Sequence, residues 1–186
     1  MMRETTEADL KRMRAYAKAA RLIRCRVADE TGDFYGFVVS VSPTLMLLHV
    51  CVDFQANGMV LFDRRALEKV GTHASLDFQK RFCDQAALSA SRDQAGTLDI
   101  SSMAAALKSL RGRLIAVEHE DDEGQVLFAM GRVTRVHRRR LAWQGVDAFG
   151  DEEEATSLDI DDVRRVLIGD RYVETYRRFL DVRSTG

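Results

Sequence analysis

The sequence predicts a mainly β chain with flanking helices, of α+β class, folded as two tandem five-stranded small barrels, each preceded by a helix. Three observations lead there. The first is an internal repeat: Leu22–Val27, an acidic turn and Gly36–Val41 return as Leu114–Val117, a second acidic turn and Gly131–Val136. Fixed-period self-similarity marks a duplicated supersecondary unit. The second is alternation of apolar and polar residues over short stretches, the mark of half-buried strands. The third is a glycine, Gly36 or Gly131, inside the longest predicted strand of each half. An interior strand glycine marks a bulge or a sharp bend where a sheet curls. The expected units are residues 1–90 and 91–186.

The repeat extends further. Gly36, Val38 and Val41 recur at the same spacing as Gly131, Val133 and Val136, Val52-Asp53 matches Val146-Asp147, and Gly71, Phe78 and Phe82 match Gly169, Tyr176 and Leu180. In the first unit Thr6 and Asp9 form a capping box, and Leu10, Met13, Ala17 and Ala20 make one helical stripe. A strand follows at 23–27, then a turn at 29–33 and a long strand at 34–41. The next strand spans 45–53, and Ala56-Asn57-Gly58 is expected to form the hairpin turn before 59–62. Residues 67–70 read as a short strand or a helical turn, and 75–90 as helix.

Ser89–Gly96 reads as the linker. In the second unit Asp99 is the expected N-cap of a helix with the stripe Ile100, Met103, Leu107 and Leu110, ended by Gly112. Strands are expected at 114–120, 126–136, 140–147 and 157–160, with a fifth element at 163–168. Asp151–Glu154 reads as a solvated acidic loop. A closing helix carries Tyr172, Tyr176, Phe179 and Leu180. The expected core includes Ile23, Val38, Val41, Ile115, Val117, Val133, Val136 and Trp143.

A helix followed by a strongly bent five-stranded meander resembles the Sm-like fold. Gly36-x-Val38-x-x-Val41 and Gly131-x-Val133-x-x-Val136 look like the glycine-led apolar pattern of that family's first motif, a pattern shared with SH3-like barrels. The departures lie where the family binds RNA. Its motif places Asp after the second apolar position and Asn four residues on; here Ser42 and Met46, or His137 and Leu141, stand there. No Arg-Gly pair lies near Leu61 or Leu158. The resemblance therefore implies the fold without the family's RNA site.

Charge excludes a strong overall field. The chain carries −1 in total, with +3 over residues 1–92 and −4 over 93–186, too little for global attraction to nucleic acid. No run of about eighteen apolar residues exists, so no transmembrane helix is expected. Cys25, Cys51 and Cys83 are odd in number and widely spaced, and read as reduced thiols of a cytoplasmic protein.

Candidate chemistry is sparse. His49, Cys51 and Asp53 alternate along one strand, but a fourth ligand is missing, so no metal is expected and the set reads as a polar outer face. There is no phosphate-binding glycine loop and no His-Glu-x-x-His pair, and no cofactor is expected. The sharpest cluster is basic: Arg132, Arg135, Arg138, Arg139 and Arg140, with Trp143 close behind. Lys11, Arg14 and Lys18 form a second basic face on the first helix. Phosphate contacts beside an aromatic suit single-stranded nucleic acid. Against this, Glu118, Glu120, Asp121, Asp122 and Glu123 precede the cluster, and antiparallel pairing could place these acids beside it. The expectation is a non-enzymatic, cytoplasmic binding or assembly module, a monomer or dimer that meets a protein partner or itself and no membrane. The alternative is an RNA- or single-strand-binding protein using these basic patches.

Overall fold

The computed structural model describes residues 6–28, 32–83, 88–89, 93 and 96–184. The chain is mainly β and antiparallel, with short flanking helices, and separates into two units, Met1–Ser102 and Met103–Gly186. Unit 1 holds α1 (Glu7–Lys18), β1 (Leu22–Val27), β2 (Asp33–Val41), β3 (Leu45–Val52), β4 (Gln55–Asp63), β5 (Leu67–Gly71) and α2 (Ala74–Gln79). Its strands pair antiparallel in the order β5-β1-β2-β3-β4. Unit 2 holds α3 (Met103–Ser109), β6 (Leu114–Glu120), β7 (Val126–His137), β8 (Arg140–Val146), β9 (Glu152–Asp159), β10 (Val163–Ile168) and α4 (Arg171–Ser184). Its order, β10-β6-β7-β8-β9, is that of unit 1 with each strand replaced by its counterpart.

The irregularities repeat as well. Register slips between Val38 and Ser40 in β2, and between Val133 and Arg135 in β7, in each case just after the glycine. A bulge bends its strand and raises its twist. The glycines serve close approach: a methyl group at Gly36 would strike the His49 carbonyl, and one at Gly131 would lie 2.6 Å from the Gln144 carbonyl oxygen and 2.9 Å from the Trp143 ring. A second slip falls between His49 and Cys51 in β3, and between Gln144 and Val146 in β8. Between β4 and β5 a 3-10 turn starts at Asp63, whose carboxylate accepts the Arg65 N–H at 2.8 Å. Between β9 and β10 Asp159 does the same for Asp161 at 3.0 Å.

The cores follow the predicted faces. Ile23, Val38, Ile115, Val117, Val133 and Trp143 are buried. Val41 and Val136 are only half-buried, since each lies beyond its bulge, where the inward alternation is interrupted. In unit 1 the Thr6/Asp9 capping box forms, with the Asp9 N–H donating to the Thr6 hydroxyl at 3.2 Å, and Leu10 and Met13 are buried while α1 lies against β2. A long charged side chain is taken inside: Arg64 is 2% exposed and donates to the Ser42 and Pro43 carbonyls at 2.8 and 2.7 Å. Desolvation lowers its pKa from the ordinary value. At the matching step of unit 2, one residue past the capping aspartate, stands buried Ile160.

Several expectations need correction. The β3–β4 turn is Asp53-Phe54, both left-handed at φ 48° and 66°, with Val52 paired to Gln55. Asn57-Gly58 lies inside β4, so the glycine that signalled a turn serves within the strand. β9 begins at Glu152 and not at 157, so the acidic segment is mostly strand. Its residues 152–157 are all exposed, and a strand paired on one side tolerates charges that a central strand would not. Residues 67–70 are strand. Asp99 precedes α3 by four residues and accepts the Ser101 N–H at 3.0 Å in a local turn, and it does not cap the helix. Hydrogen bonds from Ser101 hold its carboxyl below the usual range. In α4 the buried residue is Val173, while Tyr172 and Phe179 are exposed. The expected helix at 75–90 runs as α2 and a 3-10 turn to Phe82. Its further course, the linker and the turn at 29–33 fall largely outside the described residues.

Candidate functional site

The basic cluster divides into two places. Arg135, Arg138 and Arg140 are exposed around the β7–β8 hairpin, whose turn holds Arg138 at φ 51°. Among the described residues no ion pair joins these three to a carboxylate. Arg139 is engaged, pairing with Asp161 and lying 3.8 Å from Asp159. Arg132 points elsewhere, donating to the Gly112 carbonyl at 2.9 Å and lining a cleft with Gly150, Asp151, Glu152, Leu180 and Arg183. The acids of β6 do not neutralise the hairpin. Glu118 lies opposite Phe128, at the far end of β7, and Glu118 and Glu120 bond Arg165 and Arg164 of β10. Trp143 is 2% exposed, so the aromatic that follows the arginines is core and offers no stacking face. Lys11, Arg14 and Lys18 are exposed on α1.

His49, Cys51 and Asp53 do not form a polar face. β3 is buried from Leu45 to Val50, and His49 packs near Phe37, with ring centroids 6.4 Å apart. Asp53 lies in the turn. Among the described residues no three His, Cys, Asp or Glu side chains converge to hold a metal ion. Cys25 is fully buried, and burial pushes its thiol up to about 12, which fits a core residue and not a nucleophile.

The structure brings out surfaces that sequence reasoning missed. In each unit the helix after the fifth strand lies beside the turn between the third and fourth. In unit 1 this junction carries a ring cluster, Phe54–Phe82 at 5.8 Å and Phe78–Phe82 at 5.2 Å, and all three rings are about half exposed. It borders a cleft of about 290 Å³ lined by Leu22, Tyr35, Cys51, His73, Leu76 and Cys83, among others. In unit 2 the Tyr176 hydroxyl donates to the Ala148 carbonyl at 2.8 Å, Arg183 bonds Asp151 at 2.8 Å, and the Arg183 guanidinium lies 5.5 Å from the centre of the Phe179 ring. The matched pairs Phe78/Phe82 and Tyr176/Leu180 were the one sequence signal for this junction.

A second missed feature is the pair of strand edges. Among the described residues β9 pairs only with β8, and β5 only with β1. β9 presents Glu152, Glu153 and Glu154. Beside β5, Arg24, Arg26, Asp33 and Lys69 line a cleft of about 230 Å³. Arg24 and Arg26 share the one carboxylate of Asp33, which they hold below the usual carboxylate range, and with the charges of Glu68 and Lys69 of β5 opposing each other the edge keeps a small positive balance.

Among the described residues no helix is long and apolar enough to cross a membrane. No protein family matches the chain, and no curated protein or solved structure does either.

Proposed function

We propose that the chain is a non-enzymatic assembly module built from two Sm-like or SH3-like small barrels, and that its first partner is a second copy of itself. The barrel reading is supported by the strand order of each unit, by the glycine-and-bulge bend in β2 and β7, and by the capped 3-10 turn before each fifth strand. The observation that carries the assembly reading is the complementary pair of edges. Among the described residues β9 is acidic and unpaired on one side, while β5 is unpaired on one side, carries Glu68 and Lys69, and is flanked by Arg24 and Arg26. Main-chain hydrogen bonding between strand edges supplies affinity, and charge selects the partner edge. Acidic residues along β9 also discourage pairing with a like edge. Head-to-tail contacts form a closed assembly when the rotation between copies closes and a filament when it does not; the dimer proposed closes at two copies, each β9 meeting the other's β5. Sedimentation over a micromolar concentration series tests this. A reversible dimer that weakens with salt is expected. A single chain at every concentration, or a ring of six or more chains, would refute it.

The exposed arginines favour a second reading, single-stranded RNA or DNA binding through Arg135, Arg138 and Arg140, with Lys11, Arg14 and Lys18 as a separate basic face. A salt titration against both nucleic acids decides: binding whose affinity falls steeply with salt supports this reading, and salt-insensitive or absent binding removes it. Cytoplasmic placement is part of the proposal and is supported by cysteine usage alone.

A further inference from the structure

The cleft of unit 1 holds two cysteines that are far apart in sequence. Cys51 is the half-buried residue just past the buried run of β3, and Cys83 follows the 3-10 turn after α2. Both line the same cleft, and both pack in the cluster of Leu22, Phe37, Leu76 and Leu88. Cys83 donates its S–H to the Gln79 carbonyl at 3.7 Å, a bond within the segment that follows α2.

We propose that Cys51 and Cys83 are a dithiol modification site, which a peroxide converts to an intrachain disulfide that ties the α2 segment to β3. Both thiols face the one cleft and pack in the one cluster, and their interaction favours the Cys83 thiolate relative to Cys51. Cys83 is therefore the attacking sulfur. Its thiolate attacks one peroxide oxygen, the S–O bond forms, the O–O bond breaks, and hydroxide leaves and is protonated to water. The Cys51 sulfur then attacks the sulfenic sulfur of Cys83. The S–S bond forms, the S–O bond breaks, and the departing hydroxide takes the Cys51 proton. Two thiols lose two electrons to one hydrogen peroxide, giving one disulfide and two waters.

Burial keeps both thiols neutral at ordinary pH, with Cys51 pushed up to about 12. The site is thus slower than a low-pKa sensor cysteine. Proximity directs the sulfenic acid to the neighbouring thiol, and Cys25 takes no part because it is fully enclosed. The disulfide would hold Phe82 and Phe78 in place beside Phe54, so oxidation fixes the exposed ring cluster at the mouth of the cleft.

The test uses the whole reduced protein and hydrogen peroxide as the probe. Thiols are counted in denaturant and the linked peptides are mapped. The three thiols should fall to one, Cys25, with a mass loss of about two daltons for the lost hydrogens. Cys51 and Cys83 should appear in one linked peptide, and a thiol reductant should restore all three. In Cys51→Ser, dimedone should label Cys83. Should that variant fail to fold, the wild-type peptide map decides alone. A bridge that includes Cys25, a bridge between chains, or three intact thiols at a peroxide level that fully oxidises free cysteine would each overturn the proposal.

Discussion

The two units are built to one strand order yet resolve the same two places differently. One residue past the capping aspartate of the 3-10 turn, unit 1 buries Arg64 against the Ser42 and Pro43 carbonyls, and unit 2 buries Ile160. At the junction of the last helix with the turn between the third and fourth strands, unit 1 has two thiols and three half-exposed rings. Unit 2 has Arg183 bonded to Asp151 and a tyrosine tied to the turn. What is common to both units, the bend glycines and bulges, shapes the sheet. What differs lies at one buried step, Arg64 against Ile160, and at one junction that a partner or a reagent would reach. The comparison teaches that the fold is carried by the shared positions, and that any division of labour between the halves is carried by the unshared ones.

The largest expected effect comes from the buried arginine. Arg64→Ala leaves two carbonyls without their donor and opens a cavity, and it should cost about 3 kcal/mol in a denaturant melt. Ile160→Ala at the matching step of unit 2 removes apolar contacts only and should cost about 2 kcal/mol. A reversed order would show that Arg64 is peripheral to the stability of unit 1. Gly36→Ala and Gly131→Ala test the shared bend. Each new methyl group meets a carbonyl of the neighbouring strand, and a loss of about 2 kcal/mol is expected for both. A neutral result at one glycine and not the other would separate the two bends.

Val133→Ala, at a fully enclosed site of β7, should lower stability by about 1–3 kcal/mol through lost burial and a residual cavity. An unchanged melt would mean that the strand face is inverted. The smallest effect belongs to Asp170, which accepts the Val173 N–H at 2.8 Å at the start of α4. Desolvation raises its pKa above the ordinary value. A carboxyl raised in the folded state favours the protonated form there, so its contribution is best at low pH and is lost as pH rises from the unfolded value through the folded one. Asp170→Asn keeps the acceptor and removes the charge. It should leave neutral-pH stability within about 0.5 kcal/mol while flattening the acid limb of the stability profile.

Much of this frame was legible in the residues. Gly36 and Gly131, with the apolar positions after them, located the bend in both halves, and alternation located most strands. Charge and turn chemistry misled where context overrode them. Asn57-Gly58 has the composition of a turn, yet the chain turns at Asp53-Phe54; nothing in a phenylalanine announces a left-handed backbone. Glu152–Glu154 read as loop because an edge strand can keep charges on both faces. Arg64 carries no local mark of burial, since its acceptors are carbonyls about twenty residues away. Cys51 and Cys83 meet only once β3 and α2 are in place. The basic cluster was visible, but its division between Arg132 and the hairpin arginines depends on which way each side chain leaves a bulged strand.

Assembly through opposite edges is the central claim, and charge reversal measured by sedimentation velocity reaches it most directly. Glu153→Lys on β9 and Lys69→Glu on β5 each place like charges across the proposed contact. Each variant alone should sediment as a single chain at concentrations where the wild type is dimeric. Combined in one chain, they restore opposite charges across the contact and should recover the dimer. Dimers that survive both single reversals, or a double variant that remains monomeric while folded, would contradict pairing between β9 and β5.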